Sequence, residues 1–183
     1  KAKNKKTYQE IMYDILGLRY EKQEPILNLT KKELSFGKKF AKNNGIKNND
    51  LVVGINTGAG GRWEDKKLST EETAELIGKL NKIKRVKMLL FGGPEEKERN
   101  KKIKQLVKNK VIGAGCNNSL MEFASLVNLC IILITSDSLA LHIGTALKKN
   151  IVCFFYPTSA SEIELYSRGI KIIGKGNDYC SYK

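Results

Sequence analysis

Three short segments of the chain place small or polar residues where a backbone can hold an anion. Ser136-Asp137-Ser138-Leu139-Ala140-Leu141-His142 follows an apolar run and opens a helical pattern. A cap from Asp137 or Ser136 leaves the N–H groups of Ser138, Leu139 and Ala140 directed outward at the positive end of that helix. His142, the chain's only histidine, lies one helical turn beyond Ser138, on the same face. It reads either as a ligand contact or as a structural histidine with its ring nitrogens satisfied. Asn56-Thr57-Gly58-Ala59-Gly60-Gly61-Arg62-Trp63 also follows an apolar run. Its small residues let N–H groups approach a phosphate without interference from Cβ, and Thr57 adds a hydroxyl donor. Arg62 is a charge partner for a phosphate, and Trp63 reads equally well as a packing anchor. The segment lacks the Gly-Lys-Ser/Thr ending of a P-loop and does not open directly into a helix as G-x-G-x-x-G does. Anion loop and flexible connection therefore both stand. In Gly92-Gly93-Pro94-Glu95-Glu96, acidic residues in a first helical turn suit the helix dipole, and one carboxylate can accept from ribose hydroxyls.

The elements that position these segments follow from periodicity. Thr7 to Leu18 carries apolar residues at helical spacing, with Gly17 near its end. Thr30 with Glu33 forms a capping box for a helix running to about Asn44. From residue 51 a different rhythm begins. Leu51–Asn56, Val86–Phe91, Val111–Ile112, Leu129–Thr135, Ile151–Phe155 and Lys171–Ile173 read as strands. Ser69 with Glu72, Pro94, Ser119 with Glu122, and Ser138 mark helix starts between them. Continuous apolar strands alternating with helices predict an α/β, Rossmann-like parallel sheet with helices on both faces. Ligands of such sheets bind beyond the carboxyl ends of the strands, where the three segments lie. The change of texture divides the chain into a helical segment at 1–48 and a sheet domain at 49–183.

Composition narrows the function. With 41% hydrophobic and 28% charged residues, the 183-residue chain is of the soluble globular kind. The longest apolar run, Leu126–Thr135, is too short to span a bilayer, and no secretory signal is visible, so a cytoplasmic location is expected. Cys116, Cys130, Cys153 and Cys180 form no C-x-x-C, which argues against zinc and for buried thiols. Basic residues outnumber acidic ones 33 to 19, a net charge of +14. This excess is mostly lysine spread along the chain, a solvated surface or a polyanion face. No aromatic-interleaved basic motif accompanies it, so nucleic acid is not an expected partner.

In their order, these segments resemble the C-terminal half of the heptosyltransferases, family 9 of glycosyltransferases. The resemblance runs through the small-residue loop with Trp63, Gly92–Glu96, Ser119-Leu120-x-Glu122, Ser136-Asp137-Ser138-x-x-x-His142 and Phe155-Tyr156-Pro157-Thr158. It covers about residues 51–175, and Tyr8–Leu18 resembles the family's interdomain helix. The resemblance implies the C-terminal half of a GT-B architecture, two Rossmann-like domains facing each other across a cleft. It further implies a nucleoside-diphosphate-sugar donor such as an ADP-heptose, inverting transfer without an obligatory metal or cofactor, and a role in lipopolysaccharide synthesis. The glycan or lipid-linked acceptor and the general base would belong to an N-terminal domain, with peripheral contact at the inner face of an anionic membrane. This chain alone would then bind nucleotide without turnover.

Carried over, Asp137 and Ser138 match residues near the donor's sugar and diphosphate, and His142 the histidine of that motif. Thr57 matches a hydroxyl of the phosphate loop and Glu96 the acidic residue at the ribose. Gly58, Arg62, Leu139 and Ala140 complete the expected donor site. The chain departs from the family at Leu139, usually glycine, at Gly61, often lysine, and at Tyr156, usually small. These departures bear on the donor's identity. They also motivate two alternatives, a binding module without catalysis and a transferase of UDP-linked sugars. The charge motivates a third, a polyanion-binding protein.

Overall fold

The computed structural model describes residues 4–60, 66–156 and 158–174. Apolar runs become six parallel strands: β1 (Leu51–Asn56), β2 (Val86–Phe91), β3 (Ile112–Gly113), β4 (Ile132–Ser136), β5 (Asn150–Phe155) and β6 (Gly169–Ile173). The helices are α1 (Tyr8–Ile15), α2 (Lys31–Asn43), α3 (Thr70–Leu80), α4 (Lys97–Leu106), α5 (Leu120–Asn128) and α6 (Leu139–Ala146). The strand order is β3-β2-β1-β4-β5-β6. This is the doubly wound Rossmann order, as the rhythm of the sequence predicts.

Neighbouring side chains of the central strands β1, β2 and β4 divide between two cores. Val52, Leu89 and Leu133 pack with Leu126, Val127 and Ile143 beneath α2, α5 and α6. Val53, Leu90 and Ile134 pack with Ile77 of α3 and Ile103 of α4 on the other face. Such alternation within continuously apolar strands marks a sheet covered on both sides.

Helix starts follow their caps. Ser69 accepts from the Glu72 N–H at 3.1 Å while Glu72 accepts from the Ser69 N–H at 2.8 Å, and Thr7 with Glu10 and Ser119 with Glu122 repeat the box. The capped backbone N–H groups hold the carboxyls of Glu10, Glu72 and Glu122 below the usual range. Their contribution is therefore present at neutral pH and lost as pH falls through those lowered values.

Boundaries differ from the sequence reading where a local stop intervenes. α1 ends at Ile15 because Gly17 turns the chain at φ 65°. A 3₁₀ turn, Pro94–Glu96, precedes α4, and β4 begins only at Ile132 because Leu129 caps α5. The segment before residue 48 also divides in two. α2 is a layer of the sheet domain: Phe36 and Phe40 pack into the first core, and the Ser125 hydroxyl donates to the Glu33 carbonyl. A Cβ on Gly37 would lie 2.7 Å from Ser125 Oγ, so glycine permits this close approach. α1 buries none of its residues.

Leu133, fully buried in β4 between its neighbours β1 and β5, tests this packing. Leu133→Ala should cost about 2–5 kcal/mol, read as a lower urea midpoint with an unchanged slope.

Candidate functional site

The strand order reverses direction between β1 and β4, which opens a crevice at their carboxyl ends. A cavity of ≈ 680 Å³ occupies this place, a size typical of small-molecule sites at about 300–1,000 Å³. Gly58, Ala59 and Gly60 after β1 and Gly92 to Glu96 after β2 form one side. Ser138, Leu139 and Ala140 form another, and Cys116, Asn118, Leu120 and Phe123 close it beyond β3.

Asn56, the last residue of β1, ties the two sides together. Its amide nitrogen donates to the Gly58 carbonyl at 2.7 Å and reaches Thr135 Oγ1 and Ser138 Oγ at 3.3 Å each. One N–H thus shapes its own loop, while the other is shared between two hydroxyls from β4 and the start of α6. Thr135 and Ser138 also bond each other at 3.0 Å. Sequence reasoning missed Asn56, although an amide at a strand end beside a glycine loop was its available signal.

A second set of contacts fixes the β1 and β2 loops against each other. Thr57 is buried, its hydroxyl bonded to the Phe91 carbonyl at 3.0 Å and to Asn100 Oδ1 at 2.7 Å. Asn100 in turn donates to the Phe91 carbonyl at 3.1 Å. A Cβ on Gly92 would meet Asn100 Nδ2 at 2.7 Å and Glu96 Cβ at 2.8 Å, so only glycine fits between them. Glu96 accepts from the Gly93 N–H at 2.9 Å and faces Lys67 Nζ at 3.2 Å across an ion pair whose side chains are only 6% and 5% exposed. Buried charges persist where pairing and hydrogen bonding compensate lost hydration, as here.

The third wall is the start of α6. Ser138, not Asp137 or Ser136, is the N-cap, in extended conformation at φ −153° and ψ 175°. Leu139 is therefore the first helical residue, 61% exposed at the cavity, and Ala140 is buried beneath it. The backbone at this end carries the helix's partial positive charge. Asp137 stands behind, 3.4 Å from Lys66 Nζ, with both side chains largely buried.

The structure brings Gly58, Glu96, Ser138, Leu139 and Ala140 to one cavity, and Thr57, Asp137 and His142 lie outside its lining. The Thr57 hydroxyl points away into the core, because the strand's alternation continues one residue past its end. His142 is exposed and outside the cavity lining. The helical spacing that would put His142 on the face of Ser138 does not hold across the extended Ser138. The Glu96 carboxylate is already engaged, while its neighbour Glu95 is exposed on the cavity wall. Gly61, Arg62 and Trp63 lie outside the described residues. Lys66 and Lys67 had no sequence signal, since their pairing with Asp137 and Glu96 exists only in three dimensions. Among the described residues, no three His, Cys, Asp or Glu side chains converge as metal ligands.

Comparison with known proteins bears on the family and the fold. The sequence model of Glycosyltransferase family 9 (heptosyltransferase) matches residues 5–183. No curated protein sequence matches the chain. Among solved structures, the glycosyl transferase family 9 protein from Veillonella parvula is similar over 94% of this chain and 50% of its own, with a TM-score of 0.83 at 20% identity. E. coli ADP-heptose lps heptosyltransferase II is similar over 86% of this chain and 47% of its own, with a TM-score of 0.69 at 19% identity. E. coli heptosyltransferase WaaC with ADP is similar over 94% of this chain and 49% of its own, with a TM-score of 0.60 at 20% identity. The chain spans about half the length of these solved chains.

The adjacent carboxylates Glu95 and Glu96 separate a wall residue from a brace. Glu96→Gln should cost about 1–3 kcal/mol by weakening the buried pair. Glu95→Gln should stay within about 0.5 kcal/mol of the parent. Urea unfolding of both variants checks the contrast.

Proposed function

The chain belongs to glycosyltransferase family 9, and from that premise we propose that it is the donor-binding half of an inverting glycosyltransferase of lipopolysaccharide or cell-surface glycan synthesis. The observation that carries this reading is the cavity at the β1/β4 crevice, walled by two glycine loops and the N-terminus of α6. Its size and amide-rich walls suit a nucleoside diphosphate joined to a sugar, and ADP-heptose is the donor class we assign. The ADP in the E. coli WaaC structure of the same fold supports that choice.

In this reading the diphosphate lies against the first turn of α6, where backbone N–H groups and the Ser138 hydroxyl face negative charge. As the acceptor hydroxyl attacks the anomeric carbon, its proton passes to a base outside this chain. The bond from that carbon to the diphosphate oxygen breaks, and negative charge grows on the leaving group. Preorganised dipoles that meet this charge lower the barrier without a metal or cofactor. Asp137, held by Lys66, lies beside this turn and orients toward the sugar when the donor is bound.

The ribose is assigned to Glu95, whose exposed carboxylate is free of the bonds that engage Glu96. Thr57 and Glu96 serve as braces that hold the loops in shape. Arg62 remains the proposed charge partner of the diphosphate, and His142 a contact outside the cavity proper. The acceptor site and general base belong to the partner half of the enzyme, so this chain alone binds donor without turnover.

Calorimetric titration with ADP, UDP and GDP tests the assignment. ADP should bind most tightly; a preference for UDP would point to a different sugar nucleotide, and no binding of any would overturn the donor site. Leu139→Asp sharpens the test. A carboxylate in the first helical turn should leave stability unchanged or raised by about 0.3–1 kcal/mol. The same charge should lower ADP affinity about tenfold by repelling the diphosphate.

A further inference from the structure

The crevice runs across four strands in the order β4-β1-β2-β3, three inter-strand steps or about 14 Å. With the diphosphate at α6, after β4, and the ribose at Glu95, after β2, the base falls to the wall beyond β3. Cys116, Asn118, Leu120 and Phe123 form that wall. Leu120, the first residue of α5, is 55% exposed and packs into none of the hydrophobic cores. Phe123 follows it at i+3 on the same face, and Phe91 holds the Phe123 ring edge-to-face at 5.4 Å between centroids. The two side chains make an apolar bed for the flat face of a heterocycle, whose polar atoms then lie at its rim.

Asn118 is the amide side chain of this wall, and its orientation is fixed by the turn it sits on. Gly115 turns the chain at φ 89°, and Asn118 Nδ2 donates to the carbonyls of Ala114 at 2.9 Å and Gly115 at 3.4 Å. A carbonyl can only accept, so these contacts decide which end of the amide is nitrogen. Both N–H groups are thereby engaged by the turn. Among the described residues no hydrogen bond occupies Oδ1, and Asn118 is only half-buried at the cavity. The polar atom it offers a ligand is therefore an acceptor.

We infer that Asn118 is the specificity-determining residue for the base, its Oδ1 accepting from the exocyclic amine at C6 of adenine. The inference rests on the donor-site reading and names what selects the nucleotide within it. Adenine carries an N–H donor at that position, whereas guanine carries a carbonyl oxygen there and uracil a carbonyl on its corresponding edge. An oxygen set against Oδ1 repels it and strips its hydration without replacing the bond, so rejection exceeds the worth of the bond itself. Leu120 and Phe123 hold any base by its face, and Asn118 chooses among them by the edge.

Calorimetry with three purine nucleotides tests the inference: ADP, inosine diphosphate, which has oxygen in place of the amine, and purine riboside diphosphate, which has hydrogen there. The parent chain should bind ADP about 3–10-fold tighter than the unsubstituted purine. It should bind ADP about 10–100-fold tighter than inosine diphosphate. Asn118→Ala should bring all three within about threefold of one another. Leu120→Ala should instead weaken all three alike, by about fivefold, and keep the parent's order. If Asn118 only braced its turn, Asn118→Ala would weaken the three nucleotides equally and leave the preference for ADP, which overturns the assignment. Should that variant fail to fold, the parent's own series decides. ADP bound no better than the unsubstituted purine or inosine diphosphate overturns the role of Asn118 while the donor site stands. Binding of none of the three overturns the donor site and this inference with it.

Discussion

The amide of Asn56 is the contact on which the site depends. A doubly wound sheet must open where its strand order reverses, and the two edges of that opening belong to loops with no backbone pairing to each other. Asn56 bridges them by bonding Gly58 on its own side and reaching Thr135 and Ser138 on the other. The glycine loop and the start of α6 consequently face one space at a fixed separation. Thr57, Asn100 and the Glu96–Lys67 pair repeat the same work between the β1 and β2 loops. Most polar side chains of this region therefore bond to the protein itself. The cavity walls are left to backbone amides, small residues and a few apolar groups.

This division explains what could be read from the sequence. Strands β1 and β2 match the predicted runs residue for residue, because a strand buried on both faces is written as a largely continuous apolar string. Capping boxes located the starts of α2, α3 and α5, since both partners of each box lie within four residues. The cavity's general position followed from the rule about strand ends. Which side chains turn into it did not follow. Thr57 and Asn56 are adjacent and both polar, and only the pleat at the end of β1 decides which faces the core. Glu95 and Glu96 are divided in the same way by one 3₁₀ turn. His142 lies outside the cavity lining, since helical spacing does not extend across the non-helical Ser138. Lys66 and Lys67 lay beyond any local pattern, as their partners are far away in the chain.

Charge follows a similar division of labour. Lysines 66 and 67 are drawn inward, where each faces a carboxylate behind the cavity. Those of α4 remain outside, beside a groove without carboxylates. The chain's net charge of +14 is thus not uniform in meaning. Part of it braces the crevice, and part faces outward as a local field for anions. The crevice and the groove meet at Cys116, which belongs to the lining of both.

Cys116 offers the most direct measurement of whether a nucleotide occupies the crevice. Burial pushes the thiols of Cys130 and Cys153 up to about 12, which keeps both in the unreactive thiol form near pH 8. Cys116 is only partly buried, at the cavity's edge. Alkylation by iodoacetamide, followed peptide by peptide in a mass spectrometer, should modify Cys116 in the folded chain and spare Cys130 and Cys153. Saturating ADP should slow modification of Cys116 severalfold. An unchanged Cys116 rate at an ADP concentration that calorimetry shows to be saturating would place the nucleotide elsewhere and contradict the account.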